Sequence, residues 1–110
     1  AAGLGEFKHG ETLYLMGDDA TGSSKDARRS TIAARYCVVA LAGDQLGDFA
    51  NAFNAKGISV ADRKALATHP AIAPLWGNGW FLFSNPVYGP SIRGGYDEIF
   101  TAETKWEPAP

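Results

Sequence analysis

The sequence predicts an α/β domain in which helices cover a parallel sheet. Two apolar runs, at 37–42 and 80–83, are predicted strands, and helical patterns at 23–36 and 59–69 precede and separate them. The first run has almost no polar alternation, which is typical of a central parallel strand that is covered on both faces. The order of helices and strands also implies right-handed crossovers between parallel strands.

The amino-terminal part of the chain leads into the first predicted helix. Residues 1–10 are glycine-rich and are expected to form a lead-in loop, and 12–16 is predicted to be a short apolar strand. The helix at 23–36 can be capped by Ser23 or Ser24, because serine favours helix starts. Its arginines are expected to form a solvated face: Arg28, Arg29 and Arg35.

Lys25 is the unusual residue of this helix, because it stands in the first turn. A cation at that position opposes the helix dipole. Lys25 is there either by accident or because an anion lies opposite. It is therefore the basic residue that we expect to reach a functional site.

Two further helices are predicted after the central strand. The first starts at 49–53 and ends at 56–57, where a glycine follows a lysine. The second, at 59–69, ends before Pro70, because the residue before a proline avoids the helical region, and its residues 62–64 are expected to be exposed. The three predicted strands make a thin sheet with unpaired edges, so we expect further strands to be supplied from elsewhere.

Length and composition exclude several classes of function. The 110 residues make one domain or part of one, with an exposed tail expected over 101–110. The net charge is −2, with 10 basic and 12 acidic side chains well mixed, so nucleic-acid binding is not expected. The single cysteine, Cys37, is expected to pack as a small apolar residue in the central strand. No apolar run approaches the roughly 18 residues that span a bilayer, and no signal peptide is visible.

Two carboxylates, Asp44 and Asp48, follow the central strand. Asp44 stands just beyond the carboxyl end of this strand, where open α/β sheets place their binding sites. Two neighbouring carboxylates do not easily both stay ionised without a cation beside them, and oxygen ligands suit Mg²⁺. The alternative is that Asp44 ends the strand in a turn and Asp48 caps the next helix. Spacing alone leaves both interpretations open.

A second acidic pair, Asp18 and Asp19, follows the first predicted strand and suggests a phosphate or metal loop. The glycine spacing and the following lysine of a P-loop are missing from it, so loop solvation and helix capping are the preferred interpretation. His9 is expected to be a surface residue and His69 a helix-end residue, rather than catalytic groups.

The turn-forming run at 84–90 follows the last predicted strand and is expected on the same edge of the sheet as Asp44. Asn85 and Tyr88 lie in this run and are candidates for lining a substrate pocket. Aromatic packing is the alternative explanation for Tyr88.

Four stretches of the sequence carry a resemblance to a known family: Ser24-Lys25-Asp26-Ala27-Arg28, Gly43-Asp44-Gln45-Leu46-Gly47-Asp48-Phe49, Asp62-Arg63-Lys64 and Phe81-Leu82-Phe83-Ser84-Asn85-Pro86-Val87-Tyr88-Gly89. From Leu13 to Gly89 the chain resembles the carboxyl-terminal half of acid phosphatases of the haloacid dehalogenase (HAD) superfamily, subfamily IIIB. These are the secreted or lipoprotein-type nonspecific acid phosphatases of bacteria. The most specific part is Gly-Asp-x-x-x-Asp-Phe, followed at a distance by Asn-Pro-x-Tyr-Gly.

The resemblance implies a Rossmann-like parallel sheet of the HAD type, of which this chain is the carboxyl-terminal part. Lys25 matches the lysine that neutralises the nucleophilic carboxylate and the substrate phosphate, and Asp44 and Asp48 match the motif that holds Mg²⁺ directly or through water. In such enzymes an aspartate attacks phosphorus to give an aspartyl-phosphate, and an aspartate two positions further on acts as general acid and base. The implied substrates are small phosphate esters such as nucleotides, and the implied location is periplasmic, secreted or lipoprotein-anchored.

The chain departs from the family pattern because it lacks the nucleophile. The family's first motif is a strand followed by Asp-x-Asp, its second is a Ser or Thr ending the next strand, and nothing before Lys25 fits either motif. We therefore expect the chain to be inactive alone. Its expected partner is the missing amino-terminal half or another chain.

Two other classes of function remain open. In a receiver-like regulatory module, Asp44 would accept a phosphoryl group, with Asp18 and Asp19 as the acidic pair. That class needs a lysine just beyond the final strand, and Ser84-Asn85-Pro86 stands there instead. In a non-catalytic structural module, the acids would only cap helices.

Overall fold

The computed structural model of the chain describes residues 3, 5–85, 88–89, 93–104, 106 and 108. The predicted lead-in, the turn-forming run and the tail therefore lie partly outside the described residues. The chain belongs to the α/β class, as predicted, and its described part contains a parallel sheet of two strands. It divides into two compact units, Ala1–Val38 and Val39–Pro110. None of the described helices combines the length and the apolar character that crossing a membrane requires.

The first unit contains helix α1 (Asp26–Arg35), which confirms the helix predicted at 23–36 and starts slightly later. Lys25 occupies the N-cap position without a capping bond from its side chain. The hydroxyl of Ser24 accepts a hydrogen bond from the Asp26 amide at 3.5 Å. The prediction that Ser23 or Ser24 is the N-cap is therefore wrong, because the helix starts one position later than a Ser24 cap requires.

The strand predicted at 12–16 is wrong, since the structure describes these residues and shows no strand there. The amides of Glu11, Thr12 and Leu13 all donate to the carbonyl of Lys8, at 3.1, 2.9 and 3.0 Å. Each backbone amide is a single donor, so a tight turn uses the groups that a strand would need for pairing.

Arg28 is buried, with 8% of its surface exposed, so the expectation of a solvated face is wrong at this residue. Its guanidinium donates to the carbonyl of Leu15 at 3.3 Å and to that of Gly22 at 3.2 Å. It also pairs with the Asp19 carboxylate at 3.6 Å. A buried charge is tolerated when its donors and its charge are matched in this way. Arg28 therefore joins α1 to the loop before it.

The second unit contains two strands, β1 (Leu41–Gly43) and β2 (Trp80–Leu82). They pair in parallel and in register, which confirms the predicted parallel arrangement and the predicted strand at 80–83. The strand predicted at 37–42 is mostly wrong, because residues 37–40 lie outside β1. Each strand is three residues long, so β1 cannot extend beyond the three residues of β2 with which it pairs.

The expectation that this sheet is covered on both faces is also wrong for the described residues. Phe81 and Leu82 in β2 are 43% and 47% exposed, and Val39, before β1, is 85% exposed. Cys37, in the first unit, is exposed as well and does not pack as a core residue. Two short strands provide too little surface to form a covered sheet by themselves.

The core of the second unit is a cluster of aromatic rings. Phe53 is fully buried and Phe49 is 3% exposed. Trp76 and Trp80 pack against Phe49, with ring centroids 5.1 and 5.3 Å apart. The indole of Trp76 donates to the Ala67 carbonyl at 2.8 Å, so its polar group is satisfied inside the unit. Aromatic pairs at these distances stabilise a fold beyond the area they bury.

Short turns and helices connect the two strands. The helix predicted to start at 49–53 is wrong, because 3₁₀ turns stand in its place. Helix α2 (Val60–Ala67) confirms the one predicted at 59–69, and it is capped by Ser59, whose hydroxyl accepts from the Asp62 amide at 3.0 Å. The described residues of this unit include four 3₁₀ turns: Leu46–Asp48, Asn51–Asn54, Ala73–Leu75 and Ala102–Thr104.

Arg63 in α2 is buried, with 7% of its surface exposed, so the expectation that 62–64 are all exposed is wrong at this residue. Its Nε donates to the carbonyl of Phe53 at 3.0 Å, which ties the helix to the aromatic core. On the same helix, the Nζ of Lys64 donates to a carbonyl of α3 (Tyr96–Ile99) at 2.6 Å. The two basic side chains thus hold neighbouring elements of the unit together.

Candidate functional site

The candidate site is the turn that follows β1 in the second unit. The Asp48 carboxylate folds back over this turn, and its Oδ2 accepts hydrogen bonds from the amides of Asp44 and Gln45, both at 3.1 Å. Gln45 and Asp48 form a reciprocal capping box at the start of the 3₁₀ turn. Capping by Asp48 is therefore observed. Its binding to a metal ion stays a prediction.

Gly43, the last residue of β1, makes this close approach possible. A Cβ at this position would lie 2.5 Å from Oδ2 of Asp48 and 2.6 Å from its Cβ. Both distances are too short for atoms that are not bonded. The glycine before Asp44 is therefore required by the packing of Asp48 against the strand end.

Asp44 is held by residues that come much later in the chain. Its Oδ2 accepts a hydrogen bond from Nδ2 of Asn85 at 2.9 Å and lies 3.4 Å from the hydroxyl of Tyr88. Both partners follow β2, and parallel strands place their carboxyl ends at one edge of the sheet. The structure therefore brings together three residues that the sequence identifies as site candidates.

Gln45 is a site residue that sequence reasoning did not identify. Its Nε2 donates to the carbonyl of Tyr88 at 2.7 Å, so it connects the turn after β1 to the loop after β2. Gly89 lies against the same side chain: its φ is +108°, and a Cβ there would lie 2.1 Å from Oε1 of Gln45. The position of Gln45 between the two aspartates of one motif is the pattern that could have indicated this role.

The donors around Asp44 are neutral. Asn85 and Tyr88 offer an amide and a phenol, which direct the carboxylate without neutralising its charge. Among the described residues, Asp44 takes part in no ion pair. The half-buried carboxylate is thus oriented and remains available to attract a cation.

The donor set of this turn fits a partial magnesium site. Within the described residues, no group of three or more His, Cys, Asp or Glu side chains is placed to hold a metal ion. Mg²⁺ is commonly bound through one or two carboxylates, with water and substrate oxygens completing its shell. Asp44 and Asp48 supply that number of carboxylates, so the residues present are compatible with Mg²⁺ as part of a larger shell.

Lys25 lies in the first unit, where it precedes α1. It is exposed and lines a cavity of about 440 Å³ together with Tyr14, Met16 and Arg28. This surrounding is basic and partly apolar. That Lys25 acts in one active site with Asp44 and Asp48 stays a prediction.

The other acidic pair, Asp18 and Asp19, accepts hydrogen bonds from its own loop, except that Oδ2 of Asp19 accepts none among the described residues and lies 3.6 Å from the Arg28 guanidinium. The amide of Leu15 donates to Asp18 at 2.6 Å, and this bond and the one with His9 hold the pKa of Asp18 below its usual value. The hydroxyl and then the amide of Thr21 lower the pKa of Asp19. These contacts agree with a solvated and hydrogen-bonded loop.

A scan against protein-family models and a search of curated proteins both found no match to this chain. Fold and site together define a coarse class, namely an α/β unit with an oriented carboxylate at the carboxyl end of a parallel strand. The resemblance to HAD phosphatases rests on the motifs themselves.

Proposed function

We propose that the chain is part of a Mg²⁺-dependent phosphomonoesterase, an acid phosphatase of the HAD type with a Rossmann-like sheet. The reaction proceeds through an aspartyl-phosphate on a nucleophile that these 110 residues lack. The observation that carries the proposal is the geometry of Asp44, which follows a parallel strand and is oriented by Asn85 and Tyr88 from the neighbouring strand end. Turns and caps that serve only local structure do not need such distant partners.

In this proposal each residue has a distinct task. Asp44 and Asp48 hold the metal ion, and Asn85 and Tyr88 keep the Asp44 carboxylate pointing in one direction. Lys25 offsets the negative charge of the substrate phosphate. Mg²⁺, when bound, neutralises charge on the transferring oxygens, and such electrostatic stabilisation accounts for most catalysis in phosphoryl transfer.

The substrates in this proposal are small phosphate esters, nucleotides included, and the location is periplasmic, secreted or lipoprotein-anchored. The partner is an amino-terminal half or another chain that supplies the nucleophile and further strands. The exposed Phe81 and Leu82 support this part, because parallel sheets are normally covered on both faces.

Metal binding is tested on the chain by titration with Mg²⁺, followed by tryptophan emission and thermal unfolding. A ligand that binds only the native state raises its stability, by about 2.7 kcal/mol at a concentration 100 times the Kd. We expect Mg²⁺ to raise the Tm of the unsubstituted chain and of Asp18→Asn, which removes one charge from the other acidic pair. We expect no rise for Asp44→Asn, and an equal rise in that variant would contradict the proposal.

Activity is tested in the complete enzyme that includes the nucleophile. Asp44→Asn should lower kcat/KM by more than the about 10–100-fold that loss of an outer-shell partner costs, and normal turnover would refute its role. Incubation of the chain with a small phosphodonor covers the receiver-like alternative, because labelling of Asp44 would replace the phosphatase proposal. If the chain neither binds Mg²⁺ nor is labelled by the phosphodonor, the result would favour the third class of function, a non-catalytic structural module.

A further inference from the structure

We propose a second site in the same unit, which binds a phosphate-class oxyanion without a metal ion. It is a cavity of about 510 Å³ between residues 54–60 and the residues before α3, and three basic side chains line it: Lys56, Arg63 and Arg93. It shares no residue with the turn after β1. The inference therefore stands apart from the proposed function.

The charge of this cavity differs from that of the chain. Among the described residues, three of the chain's ten lysines and arginines line it, against one acid, Glu98, whereas the whole chain has a net charge of −2. Clefts lined by one sign of charge concentrate ions of the opposite sign. An anion is therefore the class of ligand that this cavity attracts.

Arg63 provides the fixed part of the site. It is 7% exposed, and its Nε donates to the carbonyl of Phe53 at 3.0 Å, so the core determines the plane of the guanidinium. A guanidinium stays charged throughout the ordinary pH range, so Arg63 contributes a fixed positive charge to the wall of the cavity. A charge that the core holds in place loses little freedom when an anion binds beside it.

Lys56 and Arg93 provide the adjustable part. Both are exposed residues on the wall of the cavity, so their long side chains can move toward a bound anion. The acid described in the lining, Glu98, caps the start of α3: its Oε2 accepts a hydrogen bond from the Gly95 amide at 2.6 Å, and the described basic side chains outnumber it three to one. Likewise, the nearby Asp62 carboxylate accepts from the Ser59 hydroxyl at 2.7 Å.

The size of the cavity limits the ligand. Its volume lies in the range of roughly 300–1,000 Å³ that is usual for small-molecule sites, so it admits inorganic phosphate or a small phosphate monoester. Both share the dianionic phosphate group that the basic residues recognise. A titration with inorganic phosphate and a second with glycerol phosphate distinguish these two sources.

The test is a titration of the whole chain with inorganic phosphate at constant ionic strength, with EDTA present, followed by amide chemical shifts. We expect saturable shifts at Gly57 and Gly94, which line the cavity. Hydrogen bonds to charged groups are strong enough that Lys56→Gln and Arg93→Gln should each weaken binding about tenfold. Lys8→Gln, in the first unit, makes the same charge change and should leave the Kd unchanged. Because Arg63 packs against the core, its substitution is not used.

Three results would overturn this site: no saturable binding, equal weakening by Lys8→Gln, or shifts centred on Asn85 and Gly89 instead. Tighter binding of glycerol phosphate than of phosphate would support the site and assign it to an ester. Asp44→Asn should bind phosphate normally in this experiment. Failure of the oxyanion site is therefore distinguishable from failure of the proposed function.

Discussion

The two units of the chain are stabilised by different kinds of interaction. In Val39–Pro110, Phe53 is fully buried within a cluster of aromatic rings. In the described part of Ala1–Val38, no apolar side chain is buried. The buried residue there is a charged one, Arg28. Apolar burial stabilises by about 25 cal/mol per Å², whereas polar contacts depend on matched donors and acceptors. The second unit therefore has the more robust framework for positioning a site.

The acidic residues of the two units differ in how far along the chain their hydrogen-bond donors lie. Asp18 and Asp19 accept hydrogen bonds from donors within nine positions along the chain. Asp44 receives its donors from residues 41 and 44 positions away. A donor close in sequence is brought to the acid by the turn that contains both residues, so it needs no functional explanation. Distant donors show that the fold itself directs the carboxylate, which is what a binding site requires.

The largest expected effect is that of Phe53→Ala, which tests the aromatic core. Removing a buried phenyl ring costs about 3–5 kcal/mol, and we expect this loss in chemical denaturation followed by emission of Trp76 and Trp80. Phe7→Ala in the first unit is the matched control. Because Phe7 is 64% exposed, its removal should change the free energy of unfolding by less than about 0.5 kcal/mol.

A smaller effect is expected for Arg28→Met, which tests the polar framework of the first unit. The substitution leaves the carbonyls of Leu15 and Gly22 and the Asp19 carboxylate without their buried partner. Unsatisfied buried groups cost about 1–3 kcal/mol, and amide hydrogen exchange in α1 should report a loss of about 2 kcal/mol. A cost greater than that of Phe53→Ala would reverse the comparison between the units.

The smallest effect is the acid sensitivity of the first unit. The folded-state pKa values of Asp18 and Asp19 are lowered, first by the Leu15 amide and the Thr21 hydroxyl respectively. A lowered pKa stabilises the folded state above the unfolded value of about 4. That contribution is lost as the pH falls through the folded pKa.

Thermal melts of the first unit's helical signal between about pH 5 and pH 2 measure this loss. The double variant Asp18→Asn, Asp19→Asn should show a shallower decline of Tm than the unsubstituted chain. Glu6→Gln, another exposed acid of this unit, is the control. Parallel curves for the double variant and the unsubstituted chain would contradict the local role of the pair.

The elements with strong local patterns were predictable. α1 and α2 have serines at their starts, and β2 is an aromatic run between glycines and a turn. The extent of β1 was not predictable, because a strand forms only where it has a neighbour to pair with, and residues 37–40 pair with no strand in the described part of the chain. The burial of Arg28 and Arg63 was missed because it depends on carbonyls that only the fold brings near.

The candidate site was predictable only in part. Asp44, Asn85 and Tyr88 could be placed at one edge, because parallel strands end on the same side. The capping by Asp48 was one of two interpretations that spacing left open, and only its contacts with the amides of Asp44 and Gln45 distinguish them. The bond from Gln45 to Tyr88 depends on side-chain positions that no periodic pattern encodes.

The contact between Gln45 and the loop at Tyr88 and Gly89 determines when the entropy of ordering this loop is lost. Since the Gln45 amide holds the Tyr88 carbonyl at 2.7 Å within the chain itself, that loss occurs as the unit folds and not as a ligand arrives. A preorganised loop of this kind lets more of the interaction free energy appear as affinity. Any ion or substrate that reaches Asp44 therefore encounters a receptor whose shape is already set.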